Sequence, residues 1–155
     1  MTEMLDQKEM KVIVFQLIDK EYAIGVDVVQ SIEKLLTITR VPKTPPYVKG
    51  VLNLRGVVTP IVDLRERFGL EAKEMDDSTR IIIVTLPEFE VGLIVDAAND
   101  VIDIPVGSIE PQPGVVGTVE SEFISGVAKI DKRLLVMLNL EKVLEPVKRG
   151  TSDEF

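Results

Sequence analysis

The sequence predicts an all-β protein made of two similar units of about five strands each, in the size range of small barrels. Three observations carry this expectation. The chain repeats itself: residues 47–68 shifted by 76 fall on 123–144 without a gap, and residues 12–29 shifted by 69 fall on 81–98. In the first pairing Tyr47 meets Phe123, Gly50 meets Gly126 and Asp63 meets Asn139; in the second Leu17 meets Leu86, Glu21 meets Glu90 and Asp27 meets Asp96. The apolar residues are mostly Val, Ile and Leu in short alternating runs, the pattern of half-buried strands. The chain has 155 residues, of which 45% are hydrophobic, enough to bury a core for one ordinary domain or two very small ones. The division falls in the polar, acidic stretch 71–79, giving units at 10–77 and 78–146 with flexible tails at 1–9 and 147–155.

The elements follow in order. Val12 to Ile18 is a strand, broken at Asp19-Lys20, and Glu21 to Val26 returns as its hairpin partner. Asp27 with Gln30 resembles a capping box for a short helix carrying Val28, Val29, Ile32, Leu35 and Leu36. Its apolar run reads as core, with part of it available as a docking strip. Leu36 to Val41 is extended and runs into a turn at Pro42-Lys43-Thr44-Pro45-Pro46. The stretch from Gly50 to Leu64 is a hairpin turned at Arg55-Gly56, after which Asp63 caps a helical turn stopped by Gly69, with Glu66 completing a capping box. Ile81 to Leu86 and Glu90 to Val95 form the next hairpin, and Val101 to Ile104 is another short strand. Pro105 to Glu120 is a long loop. Phe123 to Ile130 and Leu134 to Leu140 make the last hairpin, turned at Asp131-Lys132, and a helical end follows. Short helices thus sit at strand connections.

The repeat bears on function. Its second copy turns the equivalent hairpin without Arg or Gly, so the architecture does not itself demand Arg55. A long cation at the tip of a rigid hairpin is either a solvated turn residue or an anchor for a partner.

Composition excludes several classes. The formal net charge is −8 and no Lys/Arg cluster is present, which argues against nucleic acid and against an anionic membrane surface as partners. There is no Cys and no His, which removes disulfides, thiolate nucleophiles, the commonest general base and the usual zinc ligands. No cofactor is implied. No apolar run approaches the length of a membrane span, and the acidic start is not a signal peptide. The expectation is a soluble cytoplasmic protein. Carboxylates are plentiful, but none falls in a motif that fixes a pair in catalytic geometry, and Asp27, Asp63 and Asn139 read as caps. Residues 81–128 hold eight Asp or Glu and no Lys or Arg. That is either a solvated acidic face or a surface for a basic or amide-rich partner.

The run Gly50-Val51-Leu52-Asn53-Leu54-Arg55-Gly56 followed by Val57-Val58-Thr59-Pro60-Ile61-Val62-Asp63-Leu64 resembles the signature of the CheW family of bacterial chemotaxis coupling proteins. Glu21-Tyr22-Ala23-Ile24, Thr39-Arg40-Val41-Pro42, Glu90-Val91-Gly92-Leu93-Ile94-Val95-Asp96 and Ile109-Glu110-Pro111 fit in the same order, so the resemblance spans about residues 10 to 146. It implies two SH3-like five-stranded β-barrels. It also implies a non-enzymatic adaptor that joins the cytoplasmic tips of transmembrane methyl-accepting chemoreceptors to the histidine kinase CheA. Carried over by position, the receptor-binding surface involves Val29, Ser31, Asn53, Arg55 and Gly56, between the barrels. Some members have Glu where Ser31 stands, and Glu33 is the nearest replacement for that charge. Kinase binding is assigned to Ile38, Thr39, Arg40 and Val41. About ten residues precede and follow the matching region, which favours the free-standing coupler over a receiver-fused adaptor. Two other classes stay open on the residues alone. A small hydrolase or isomerase using paired carboxylates would need a deep pocket, and an SH3-type peptide-binding module would need an aromatic groove.

Overall fold

The computed structural model describes residues 8–34, 37–71, 74–87, 89–111 and 121–145. Among these residues eleven strands form two sheets. The strands are β1 (Glu9–Leu17), β2 (Lys20–Gly25), β3 (Val29–Lys34), β4 (Val48–Leu54), β5 (Val57–Asp63), β6 (Arg80–Thr85), β7 (Glu90–Val95), β8 (Ala97–Pro105), β9 (Ile109–Glu110), β10 (Ile124–Ile130) and β11 (Arg133–Leu138). Two helical turns, α1 (Leu64–Arg67) and α2 (Leu140–Val143), follow β5 and β11. One sheet has the order β8-β1-β2-β11-β10-β9, the other β3-β6-β7-β5-β4.

The repeat holds to the level of register. Gly50 faces Ile61 in one hairpin and Gly126 faces Met137 in the other, 76 positions on, and each pair follows a bulge. Ile61 lies beside Gly92 in the parallel β5–β7 pair, as Met137 lies beside Ala23 in β11–β2. The chain is predominantly β, in two SH3-like units of five strands, the six-stranded sheet adding the two-residue β9.

The boundary expected at residues 77 and 78 divides the chain but not the sheets. The first hairpin, β1–β2, pairs with β8 and β11, while β6–β7 pairs with β3 and β5. Each barrel is therefore completed by a hairpin from the other repeat. The cause lies in the connections: a three-residue 3-10 turn at Val26–Val28 passes the chain from β2 into the other sheet, and Asp96 alone separates β7 from β8. The helix expected from Val28 onward is β3, whose residues alternate half-buried and exposed. Asp27 makes no cap, because the 3-10 turn is entered at Gly25 with no side-chain hydrogen bond. β-branched Val29 and Ile32 lose little in a strand and more in a helix, so pairing with β6 decides the outcome. Leu35 and Leu36 lie outside the described residues, as do 112–120 of the long loop, 1–7 and 146–155. Within the loop's described part a 3-10 turn at Val106–Ser108 and the short β9 appear.

Three apolar clusters hold the chain together. Val12, Val14, Ala23, Leu135 and Met137 fill one sheet's curl; Leu52, Ile61, Ile81, Ile83 and Ile94 fill the other. Between the sheets, β1 and β2 contribute Ile13, Phe15, Leu17, Tyr22 and Ile24 to a core shared with β6, β7, α1 and α2. An aromatic series runs through it: Phe15–Tyr22, Tyr22–Phe68 and Phe68–Phe123 centroids are 5.8, 6.1 and 5.6 Å apart. Arg67 lies 4.5 Å over the Phe123 ring and donates through Nε to the Val143 carbonyl at 2.6 Å.

Candidate functional site

The site grows out of the β4–β5 turn. Leu54 pairs with Val57, which leaves two residues to reverse the chain. Both adopt positive φ, 53° at Arg55 and 82° at Gly56. That conformation suits the twist of a two-residue hairpin, easily for Gly and less easily for Arg. The Gly56 N–H donates to Asn53 Oδ1 at 3.1 Å, so the Asn53 side chain braces the turn.

The arginine is held from one side. With the Gln30 amide oriented by its surrounding donors and acceptors, its oxygen accepts from Arg55 Nη2 at 2.7 Å. Its nitrogen donates to Thr85 Oγ1 at 3.1 Å and to Glu90 Oε2 at 2.8 Å. Glu90 Oε1 lies 4.0 Å from Arg55 Nη2 and accepts from the buried Thr59 hydroxyl at 3.3 Å. Side chains from four strands, β3, β5, β6 and β7, thus form one network with the cation, at one end of the five-stranded sheet. The Arg55 side chain is 54% exposed and that of Glu90 16%. Val57 and Val58 beside it are 47% and 58% exposed.

Of the receptor-binding set expected from the resemblance, Asn53, Arg55 and Gly56 share the tip. Val29 is half-buried against the central core, and Ser31 is half-buried with an Oγ that has no hydrogen-bond partner among the described residues. Gln30, between them, supplies the side chain that touches Arg55. The contacts described for Arg55 all lie within the five-stranded sheet, so it stands on that barrel's rim. Sequence reading missed Gln30 and Glu90; the repeat's match of Glu21 with Glu90 was the available signal.

The second expected set lies along the outer edge of β4. Thr39 exchanges backbone hydrogen bonds with Val51, at 3.0 and 2.8 Å. Ile38 packs against the cluster around Leu52 and Ile61. Arg40 and Val41 line a groove with the turn from Pro42 to Pro46 and with Lys49. Gly50 lets this segment approach: a Cβ there would lie 2.1 Å from the Thr39 carbonyl oxygen.

Other polar groups serve the fold. Asp63 caps α1, accepting from the Arg65 N–H at 3.0 Å, and burial pushes its carboxyl above the usual carboxylate range. Its own N–H donates to the Tyr47 carbonyl, so Glu66 does not close the expected box. Asn139 caps α2 in the same way through Lys142. Asp96 accepts from Arg65 Nε at 2.8 Å and from the Ile18 N–H at 2.7 Å, tying α1 to the β1–β2 turn. Among the described residues no group of three His, Cys, Asp or Glu is placed to hold a metal ion.

Two SH3-like barrels share one core, and a braced arginine stands on one rim. A family model described as the CheW-like domain matches residues 11–148. The chain is 48% identical over 135 residues to the chemotaxis protein CheW of Bacillus subtilis, covering 87% of this chain and 86% of that one. It is 35% identical over 132 residues to the chemotaxis protein CheW of Klebsiella aerogenes, covering 85% and 80%. The crystal structure of the scaffolding protein TtCheW from Thermoanaerobacter tengcongensis superposes with a TM-score of 0.84 at 36% identity, covering 89% of this chain and 94% of that one. The chain belongs to the CheW-like family of chemotaxis adaptors.

Proposed function

We propose that this protein is a non-enzymatic, cytoplasmic scaffold that couples transmembrane chemoreceptors to the histidine kinase CheA in bacterial chemotaxis. The observation that carries the reading is the Arg55 rim, an exposed arginine fixed on a two-residue turn beside exposed Val57 and Val58. Arginine is among the residue types in which binding energy concentrates at interfaces, and the exposed valines offer apolar area beside it. The cytoplasmic tip of a receptor sits on this rim, meeting Val29, Ser31, Asn53, Arg55 and Gly56. The regulatory domain of CheA takes the β4 edge at Ile38, Thr39, Arg40 and Val41. Val51, opposite Thr39, precedes Arg55 by four residues, or about 13 Å of strand. Two partners can therefore occupy one sheet together, and a signal passes as a change in how they sit.

Recruitment to the membrane runs through the receptors: no helix among the described residues is long and apolar enough to cross a bilayer. The relatives named as chemotaxis proteins and the structure titled a scaffolding protein support the reading. Co-sedimentation tests it. Receptor-containing membranes should pellet CheA in an amount that rises with added protein. A kinase pellet unchanged by the protein would contradict the coupling role.

A further inference from the structure

We infer that Glu90 and Gln30 are positioning residues for Arg55, holding its guanidinium from one side so that its remaining donors face the partner. The inference rests on the receptor-binding reading of Arg55. Glu21 and Glu90 are 69 positions apart, and each receives an arginine from the neighbouring hairpin.

The six-stranded sheet uses this acceptor structurally. Arg133 donates to Glu21 through Nε at 3.1 Å and Nη2 at 2.8 Å. Its Nη1 and Nη2 also reach Asp100 at 3.3 Å each, so the whole fork is engaged. In the five-stranded sheet the place of Arg133 is taken by Val57 and that of Asp100 by Ser31, under the same two shifts. The arginine has moved to the turn. It meets Glu90 at 4.0 Å and commits Nη2 to Gln30, which Glu90 and Thr85 lock in turn. Nε and Nη1 of Arg55 have no hydrogen-bond partner among the described residues. The same acidic post therefore staples one barrel and presents an arginine on the other. Pre-orienting a long side chain in the free protein lowers the ordering cost of binding.

A double-mutant cycle tests this. The affinity of a purified cytoplasmic chemoreceptor fragment is titrated for the wild type, Glu90→Ala, Glu90→Gln, Gln30→Ala, Arg55→Ala and Arg55→Ala/Glu90→Ala, with thermal midpoints recorded. Glu90→Ala and Gln30→Ala should each weaken binding roughly fivefold, Gln30→Ala at an unchanged midpoint and Glu90→Ala at a lowered one, because the buried Thr59 hydroxyl loses its acceptor. Glu90→Gln, which keeps an acceptor at the same length, should recover most of the loss. In the Arg55→Ala background Glu90→Ala should cost nothing further. Gln30 is exposed, so its variant keeps the test decisive if Glu90→Ala proves unstable. Wild-type affinity in both position-30 and position-90 variants, with Arg55→Ala weakened, overturns the positioning role and leaves the receptor reading intact. An equal loss from Glu90→Ala with and without Arg55 overturns it too. Unchanged affinity in Arg55→Ala overturns the receptor reading itself, and this inference with it.

Discussion

Asp63 and Asn139 occupy equivalent places and cap equivalent helical turns, yet only one of them carries a charge. Asn and Asp cap about equally well, so the carboxylate at position 63 adds a desolvation cost that Asn139 avoids. Its pKa is raised on folding. The neutral form is then favoured in the folded state, and the associated stability is present below the ordinary carboxylate pKa and lost as pH rises through the folded value. Asp63→Asn should therefore leave the fold intact and raise the thermal midpoint at pH 7, with the gain shrinking toward pH 4. Asp63→Ala should cost about 1 kcal/mol through the lost cap. Differential scanning calorimetry at the two pH values checks both; a midpoint lowered by Asp63→Asn at pH 7 would show that the charge is used. At this scale the sequence exposed Arg55 through its absence from the second copy, and Asp63 through its cap position. It hid Gln30 and Glu90, because they lie 25 and 35 residues from Arg55 and meet it only when three further strands are in place. Asn53, expected as a contact, accepts the Gly56 N–H through Oδ1 and so also braces the turn.

Gly50 and Gly126 explain how an element is shaped by what crosses it. A Cβ on Gly50 would meet the Thr39 carbonyl oxygen at 2.1 Å, and its φ of 143° disfavours a side chain; on Gly126 a Cβ would meet Ile109 Cγ2 at 2.6 Å and the Glu110 oxygen at 3.0 Å. Thr39 bridges to Val51 and Glu110 pairs with Val127, so each glycine admits a short segment across a bulged hairpin. Gly50→Ala should destabilise by about 3 kcal/mol or more, since backbone rather than a flexible side chain must move, and Gly126→Ala by less. Urea midpoints that fall equally in the two variants would refute this ranking. The β4–β5 and β10–β11 turns and both caps were readable because each is set by neighbours within a few residues; the β1–β2 turn, expected at Asp19-Lys20, lies at Ile18-Asp19. The strand β3 was not. Its apolar spacing also fits a helix, and the pairing of Val29, Ser31 and Ile32 with β6 comes from residues some fifty positions away.

The whole molecule is an exchange of hairpins between repeats. A repeat visible in sequence suggests two self-contained barrels, but sequence similarity reports which elements recur, and not which copies pair. The fragment 1–77 lacks β8 and β11 for its first hairpin and β6 and β7 for its remaining strands. It should be unfolded or aggregated alone, as should 78–155, while mixing the two should restore β structure in circular dichroism. A fragment that folds alone with the stability of a native domain would contradict the exchanged topology. The intact chain should unfold in a single transition, because Phe15, Tyr22, Phe68 and Phe123 join both repeats in one core. The exchange also fixes the rim, since Glu90 of the second repeat braces Arg55 of the first. The most direct test of the adaptor reading is a titration of a chemoreceptor's cytoplasmic fragment against Arg55→Ala. Receptor affinity should fall at least about tenfold, or roughly 1.4 kcal/mol, with the thermal midpoint and CheA affinity unchanged; receptor affinity equal to that of the wild type would contradict it.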